Sequence, residues 1–158
     1  MGNIFAGSEI IEIGIQIEEN GRDFYNALVE KSKDEKTKEL FQLLASEEEK
    51  HIAAFGKVLD SVQKYEPPEA YPGEYFAYMN ALASQHVFTQ ENKGAEIARK
   101  IAADKEAVEL GIKFEMDSIV FYEGMKKVVP EYDQKVVEEL IKQEQTHLVK
   151  LTAIKNNL

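Results

Sequence analysis

The chain has no cysteine, so disulfides, thiolate zinc sites, thiolate nucleophiles and cysteine-held iron–sulfur clusters are all excluded. Any metal must be held by oxygen and nitrogen. Proline is nearly as scarce: it occurs at 67, 68, 72 and 130, which leaves long segments on either side of "EPPEAYPGEY" free to be helical. Basic residues are outnumbered, 19 Lys and Arg against 29 Asp and Glu, and the net charge of -10 speaks against nucleic-acid or anionic-membrane binding, which needs a basic face. No apolar run reaches the length of a membrane span, and the first residues lack the basic and apolar regions of a signal peptide. The start "MGNIFA" lacks the Ser or Thr that myristoylation wants at the sixth position. A cytoplasmic location is expected.

What is present is a chain of 158 residues, 44% of them hydrophobic, which suits one domain over 1–158. "EIIEIGIQIEENGRDFY", Glu9 to Tyr25, begins like a strand, with Ile11, Ile13, Ile15 and Ile17 at period two. Phe24, Tyr25, Leu28 and Val29 then follow helical spacing, and a stretch of this length without a turn exceeds an ordinary strand. The reading is a first helix from Ser8, its N-cap, to about Lys31. A second runs to Tyr65 behind an Asp34 cap, with Leu40, Leu44, Ile52, Phe55 and Leu59 on its stripe. A long connection follows, containing the prolines and the apolar piece "EYFAYMNALASQHVF". The third helix spans about Lys105 to Val128, capped by Asp104, and the fourth about Asp133 to Lys155 after the Pro130 break. The long connection can cross the whole bundle and let the second and third helices run parallel. An all-α four-helix bundle with one crossover results.

The chain also repeats itself. "EIGIQIEENGRDFY" at 12–25 matches "ELGIKFEMDSIVFY" at 109–122 at six of fourteen positions, an offset of 97. "LLASEEEKHIAAF" from Leu43 lies over "ELIKQEQTHLVKL" from Glu139, an offset of 96 that keeps Leu44/Leu140, Glu48/Glu144 and His51/His147. Two copies of one helical hairpin imply a pseudo-twofold core. Both copies keep one mid-helix Glu and one Glu-x-x-His.

Glu18 and Glu115 fall on the apolar stripes of their helices, in line with Gly14, Gly21 and Tyr25, and with Gly111, Ser118 and Tyr122. The glycines and serine are expected to leave space beside each carboxylate. Glu48 with His51, and Glu144 with His147, put a carboxylate and an imidazole one turn apart on one face. The interval from Glu18 to Glu48 is 30 residues and from Glu115 to Glu144 is 29, as an antiparallel hairpin needs to bring both to one level. Buried ionised carboxylates cost several kcal/mol each unless compensated, and four together repel. Two divalent cations balance four carboxylates and two neutral histidines. The expected centre is therefore dinuclear, with Glu18 and Glu115 as bridges and the two Glu-x-x-His pairs completing mixed oxygen and nitrogen ligation. The competing reading is a metal-free bundle with these residues in salt bridges. His86 has no duplicate and is expected to be structural or exposed. Tyr25 and Tyr122 either pack in the core or hydrogen-bond ligand carboxylates. Glu47 and Glu49 are read as solvated, and Arg22 as the partner of a nearby carboxylate.

The pattern Glu18 … Glu48-x-x-His51 … Glu115 … Glu144-x-x-His147 resembles the ferritin-like di-iron carboxylate proteins. "E-x5-FY" and "LLASEEEKH" look most like the rubrerythrin-like branch. The resemblance covers nearly the whole chain. It implies two iron ions on these six residues, although the ligand set also suits manganese or zinc. It further implies reduction of peroxide or dioxygen with electrons from an external donor, and a homodimer through an exposed helix face. Iron sequestration with ferrous ion as substrate is the alternative. Two departures stand out: the four cysteines of the rubredoxin domain that rubrerythrins usually carry are absent, and Ser118 stands where rubrerythrin peroxidases have an additional glutamate.

Overall fold

In the computed structural model, which describes residues 7–65, 73–86 and 88–158, the isoleucine alternation resolves into a helix, α1, Gly7–Lys31. Gly7, Ile10, Ile11, Gly14, Ile17, Glu18, Gly21, Phe24, Tyr25 and Leu28 are buried, a three-and-four spacing that lays one stripe along the helix. Ile13 and Ile15 are only partly buried. Their alternation is a by-product of a helix rich in isoleucine. Ser8 lies inside α1, whose first residue is Gly7, so it does not serve as the N-cap expected of it.

After a turn at Ser32–Asp34 the chain enters α2, Glu35–Tyr65. Asp34 does cap it: the carboxylate accepts the backbone N–H of Thr37 at 3.0 Å and the Thr37 hydroxyl at 2.7 Å. The connection then forms two shorter helices, α3, Gly73–Gln85, and α4, Lys93–Arg99, before α5, Asp104–Met125. A 3-10 turn over Lys126–Val128 and Pro130 precede α6, Glu131–Lys155. None of the described helices is long and apolar enough to cross a membrane.

α1 packs on α2 and α5 on α6 as two hairpins, joined through α1 against α5 and α2 against α6. Asp104 fixes the direction of the second hairpin. It stands at the first position of α5, after Ala103, and instead of capping its own helix its carboxylate accepts the N–H groups of Lys33 and Asp34 in the α1–α2 turn. The start of α5 thus lies where α2 starts, so α2 and α5 are parallel and α1 and α5 antiparallel. The structure is the four-helix bundle with one long crossover that the sequence implies.

The crossover is clamped to α1. Buried Asn20 donates to the carbonyls of Phe88, at 2.7 Å, and Gln90, and accepts the N–H of Gly94 at 3.0 Å. A Cβ on Gly94 would run into the backbone of Asn20, so only glycine allows α4 to come this close. At the other end of α4, the Lys31 ammonium donates to the carbonyls of Ala98, Arg99 and Ile101, supplying the partners a helix C-terminus lacks. Phe88 carries the crossover into the core, its ring 4.7 Å from that of Phe114 and 5.1 Å from that of Phe24.

Candidate metal centre

Each of the four long helices sends one carboxylate into the middle of the bundle, and α2 and α6 each add a histidine one turn further on. Glu18, Glu48, Glu115 and Glu144 have no exposed surface, and His51 and His147 retain at most 3%. All six sequence-predicted residues meet. His51 Nδ1 lies 2.8 Å from Glu144 Oε1, 3.4 Å from Glu18 Oε2 and 4.0 Å from Glu48 Oε2. His147 Nδ1 lies 3.5 Å from Glu48 Oε1, 3.5 Å from Glu115 Oε1 and 3.9 Å from Glu144 Oε1.

These atoms fall into two overlapping groups, Glu18, Glu48, His51 and Glu144, and Glu48, Glu115, Glu144 and His147, each with one ligand atom per residue within 4.8 Å of the others. The residues common to both groups are not the two expected as bridges. Glu48 and Glu144 belong to both groups, whereas Glu18 and Glu115, the bridges in the sequence reading, belong to one each. The physical reason lies in the tyrosines. Tyr25 of α1 donates to Glu115 Oε1 of α5 at 2.8 Å, and Tyr122 of α5 donates back to Glu18 Oε1 of α1. Each of those carboxylates has one oxygen tied to a hydroxyl and one left over. Glu48 and Glu144 keep both oxygens unpartnered.

Gly14 makes room for Met125, whose methyl lies 2.6 Å from where a Cβ would stand, whereas a Cβ at Gly111 would be in ordinary contact with Leu151 and the Tyr25 hydroxyl. The space that Gly14, Gly21 and Ser118 leave is filled by side chains from other elements. At Gly21 the filler is Phe114, 2.6 Å from where a Cβ would stand. At Ser118 it is His86.

A protein normally pairs its buried polar atoms. Among the described residues, nine buried side-chain nitrogen and oxygen atoms have no hydrogen-bond partner, and eight belong to this cluster: Glu18 Oε2, Glu115 Oε2, both oxygens of Glu48 and of Glu144, and the two Nδ1 atoms. The ninth is Asp133 Oδ2, at the start of α6. Without a cation the cluster must hold protons instead. Burial pushes the Glu115 carboxyl up to about 7, against the relief it gets from Glu144 and Tyr25, and pushes Glu144 well above the carboxylate range with help from Glu115 and Glu18. Burial acts to lower His51, but Glu18 and Glu144 outweigh it and raise the imidazole to about 11. His147 goes the other way, lowered chiefly by burial.

The remaining candidates find plain places. His86 is buried, with Nδ1 accepting the N–H of Phe88 at 3.1 Å and Nε2 2.9 Å from Ser118 Oγ. Both ring nitrogens are engaged, and burial lowers its pKa to about 4, so it stays neutral and joins the crossover to α5. Arg22 pairs with Asp23 at 3.1 Å and Glu49 at 2.9 Å. Glu49 is exposed, whereas Glu47 is half-buried, beside Lys50 at 3.1 Å.

One residue was missed by sequence reasoning: Gln143, whose Oε1 lies 2.7 Å from His51 Nε2. Its signal was present, since the offset of 96 aligns Gln143 with Glu47. A groove of about 560 Å³ between α2 and α6 reaches the cluster here, lined by Glu47, Lys50, His51, Val136, Leu140 and Gln143 among others.

A family model described as Rubrerythrin matches residues 9–155. Among solved structures, a protein of Thermotoga maritima described as a ferritin-like diiron-carboxylate protein is 30% identical, with a TM-score of 0.77 over 99% of this chain and 98% of that one. A hypothetical protein of Pyrococcus furiosus, 22% identical, shares the fold with a TM-score of 0.56 over 96% of this chain and 89% of that one. No curated protein matches the chain.

Proposed function

The chain belongs to the rubrerythrin family, and from that premise we propose that the six buried residues hold two metal ions, iron in the cell, and that the loaded protein reduces peroxide or dioxygen. The observation that carries the reading is the concentration of unpartnered buried ligand atoms in one place, a cost the fold sustains only if cations supply what hydrogen bonds do not. Glu18 and His51 would serve one ion, Glu115 and His147 the other, with Glu48 and Glu144 shared. The donor set, carboxylate oxygen and imidazole nitrogen, suits iron, manganese or zinc, and the similar Thermotoga maritima protein is described as diiron.

Bound iron would supply one-electron redox steps, two of which match the two electrons that peroxide takes up on becoming two waters. The chain's own residues do the rest. Tyr25 and Tyr122, kept protonated by burial and by Glu115 and Glu18 respectively, each hold one carboxylate oxygen in place: at Glu18 this leaves Oε2 facing His51, and at Glu115 the held Oε1 is itself the oxygen near His147. The groove beside His51 offers the oxidant a path from solvent, and the apolar core around Phe24, Phe88 and Phe114 keeps water out from the opposite side. Electrons would come from a donor outside these 158 residues, which hold no cysteine for an iron–sulfur relay.

A specific observation favours a second reading, ferrous-ion oxidation and storage. Ser118 occupies the place of an additional glutamate and is engaged by His86, so no fifth carboxylate is available there. Iron-loaded protein given peroxide and a reductant separates the two. Consumption continuing over many turnovers per chain supports the enzyme. A single stoichiometric oxidation, with more than two irons then retained per chain, supports storage.

A further inference from the structure

The two metal positions are built from matching ligands but are held from behind by different groups. The Gln143 side-chain amide donates its nitrogen to Glu139 Oε1 at 3.3 Å, which orients Oε1 toward His51 Nε2 at 2.7 Å. An amide oxygen only accepts, so Nε2 keeps its proton, and it is Nδ1, the atom facing the carboxylates, that gives up its proton and offers a lone pair to an entering cation. At the second position, no described residue hydrogen-bonds the outer nitrogen of His147. The residue that corresponds to Gln143 in the repeat is Glu47, which takes Lys50 on Oε1 at 3.1 Å and acts on His147 through its charge, with no hydrogen bond to the ring.

We infer that Gln143 is a positioning residue that fixes the tautomer and ring orientation of His51, making the metal position at Glu18, Glu48, His51 and Glu144 the tighter of two inequivalent positions. The inference rests on the metal-binding reading above and extends it to the order of filling. Groups that orient a ligating histidine typically change metal affinity 10- to 100-fold, roughly, when removed. The first ion therefore enters beside His51, where the imidazole is already held, and the second orders His147 as it binds. Gln143 also lines the groove that leads inward, so it stands where the first ion arrives.

Anaerobic titration of the metal-free protein with cobalt(II), followed by absorption and by calorimetry, tests this without reference to activity. The wild type is expected to bind two ions in resolved steps. Gln143→Leu, at a half-buried surface position, should weaken the tighter step about 10- to 100-fold and leave the other unchanged. Gln143→Glu, which still accepts from Nε2, should restore two resolved steps. Thermal unfolding of each metal-free variant reports whether the bundle itself is intact, and Gln143→Ala replaces the leucine variant if it is not. Two equal steps in the wild type, an unaltered isotherm in Gln143→Leu, or equal weakening of both steps would overturn the inference while leaving the metal centre standing. No binding by the wild type would overturn both.

Discussion

Position 20 in the first hairpin is a buried asparagine that grips the crossover with three hydrogen bonds. The matching residue of the second hairpin, Asp117, lies at the surface in an i, i+4 pair with Lys113 at 2.9 Å. Next in line, Gly21 takes in the Phe114 ring, whereas its counterpart Ser118 takes in His86 from the crossover. Three residues before Gly21 and Ser118, Glu18 and Glu115 are equivalent, each with a tyrosine from the opposite helix. The difference separates two kinds of constraint. The ligands are duplicated because two ions at one level need the same donors from both hairpins. The surrounding packing is not, because a single crossover has to be anchored somewhere.

The largest effects are expected at the shared carboxylates. Glu48→Ala and Glu144→Ala should each abolish retention of both ions, whereas Glu18→Ala and Glu115→Ala should each leave one ion bound, read as metal per chain after gel filtration. Loss of both ions from all four variants would show that sharing does not follow the two overlapping groups. In the metal-free state Glu144→Gln should raise the melting temperature at neutral pH, because it removes a buried carboxyl whose ionisation burial and neighbouring Glu115 disfavour.

The unduplicated region gives a smaller but lopsided effect. Asn20→Ala strips three hydrogen bonds and leaves the Phe88 carbonyl and Gly94 N–H without their partner, at a cost of about 3 kcal/mol in denaturant unfolding. Asp117→Ala should change stability by no more than about 0.5 kcal/mol. Equal losses would mean that the crossover does not depend on its clamp. The duplicated tyrosines should behave alike: Tyr25→Phe and Tyr122→Phe should each destabilise the loaded protein by about 1 to 2 kcal/mol, and by nearly the same amount.

How far the sequence could carry these conclusions depended on periodicity and repetition. The four long helices, the parallel course of α2 and α5 and the six converging residues were legible, because core stripes and an offset repeat survive in one dimension. The roles within the cluster were not. They turn on which carboxylate oxygens are already hydrogen-bonded, and the crossed tyrosine bonds join residues 90 and 104 positions apart. Helix α4 was invisible for a related reason, since its seven residues are held by Asn20 and Lys31 of another helix and not by a stripe of their own. Asp104 was read as a cap because it precedes an apolar run, yet its hydrogen bonds go to the α1–α2 turn.

A gentler perturbation is pH. With Glu115 raised to about 7, Glu144 held well above the carboxylate range by burial and Glu115, and His51 raised to about 11, the metal-free cluster holds protons at neutral pH that cations must displace. Metal affinity should therefore increase as pH rises from 6 to 8, and loading in weakly buffered solution at pH 6.5 should release more than about one proton per chain. Binding without acidification would mean that the cluster is ionised before metal arrives.

The most direct measurement is the number of ions the cluster holds. After anaerobic loading of metal-free protein with ferrous ion and removal of the excess, two irons per chain are expected, falling to none in Glu48→Ala. Fewer than about one iron per chain in the wild type would contradict a dinuclear centre and leave the eight unpartnered ligand atoms without a cause.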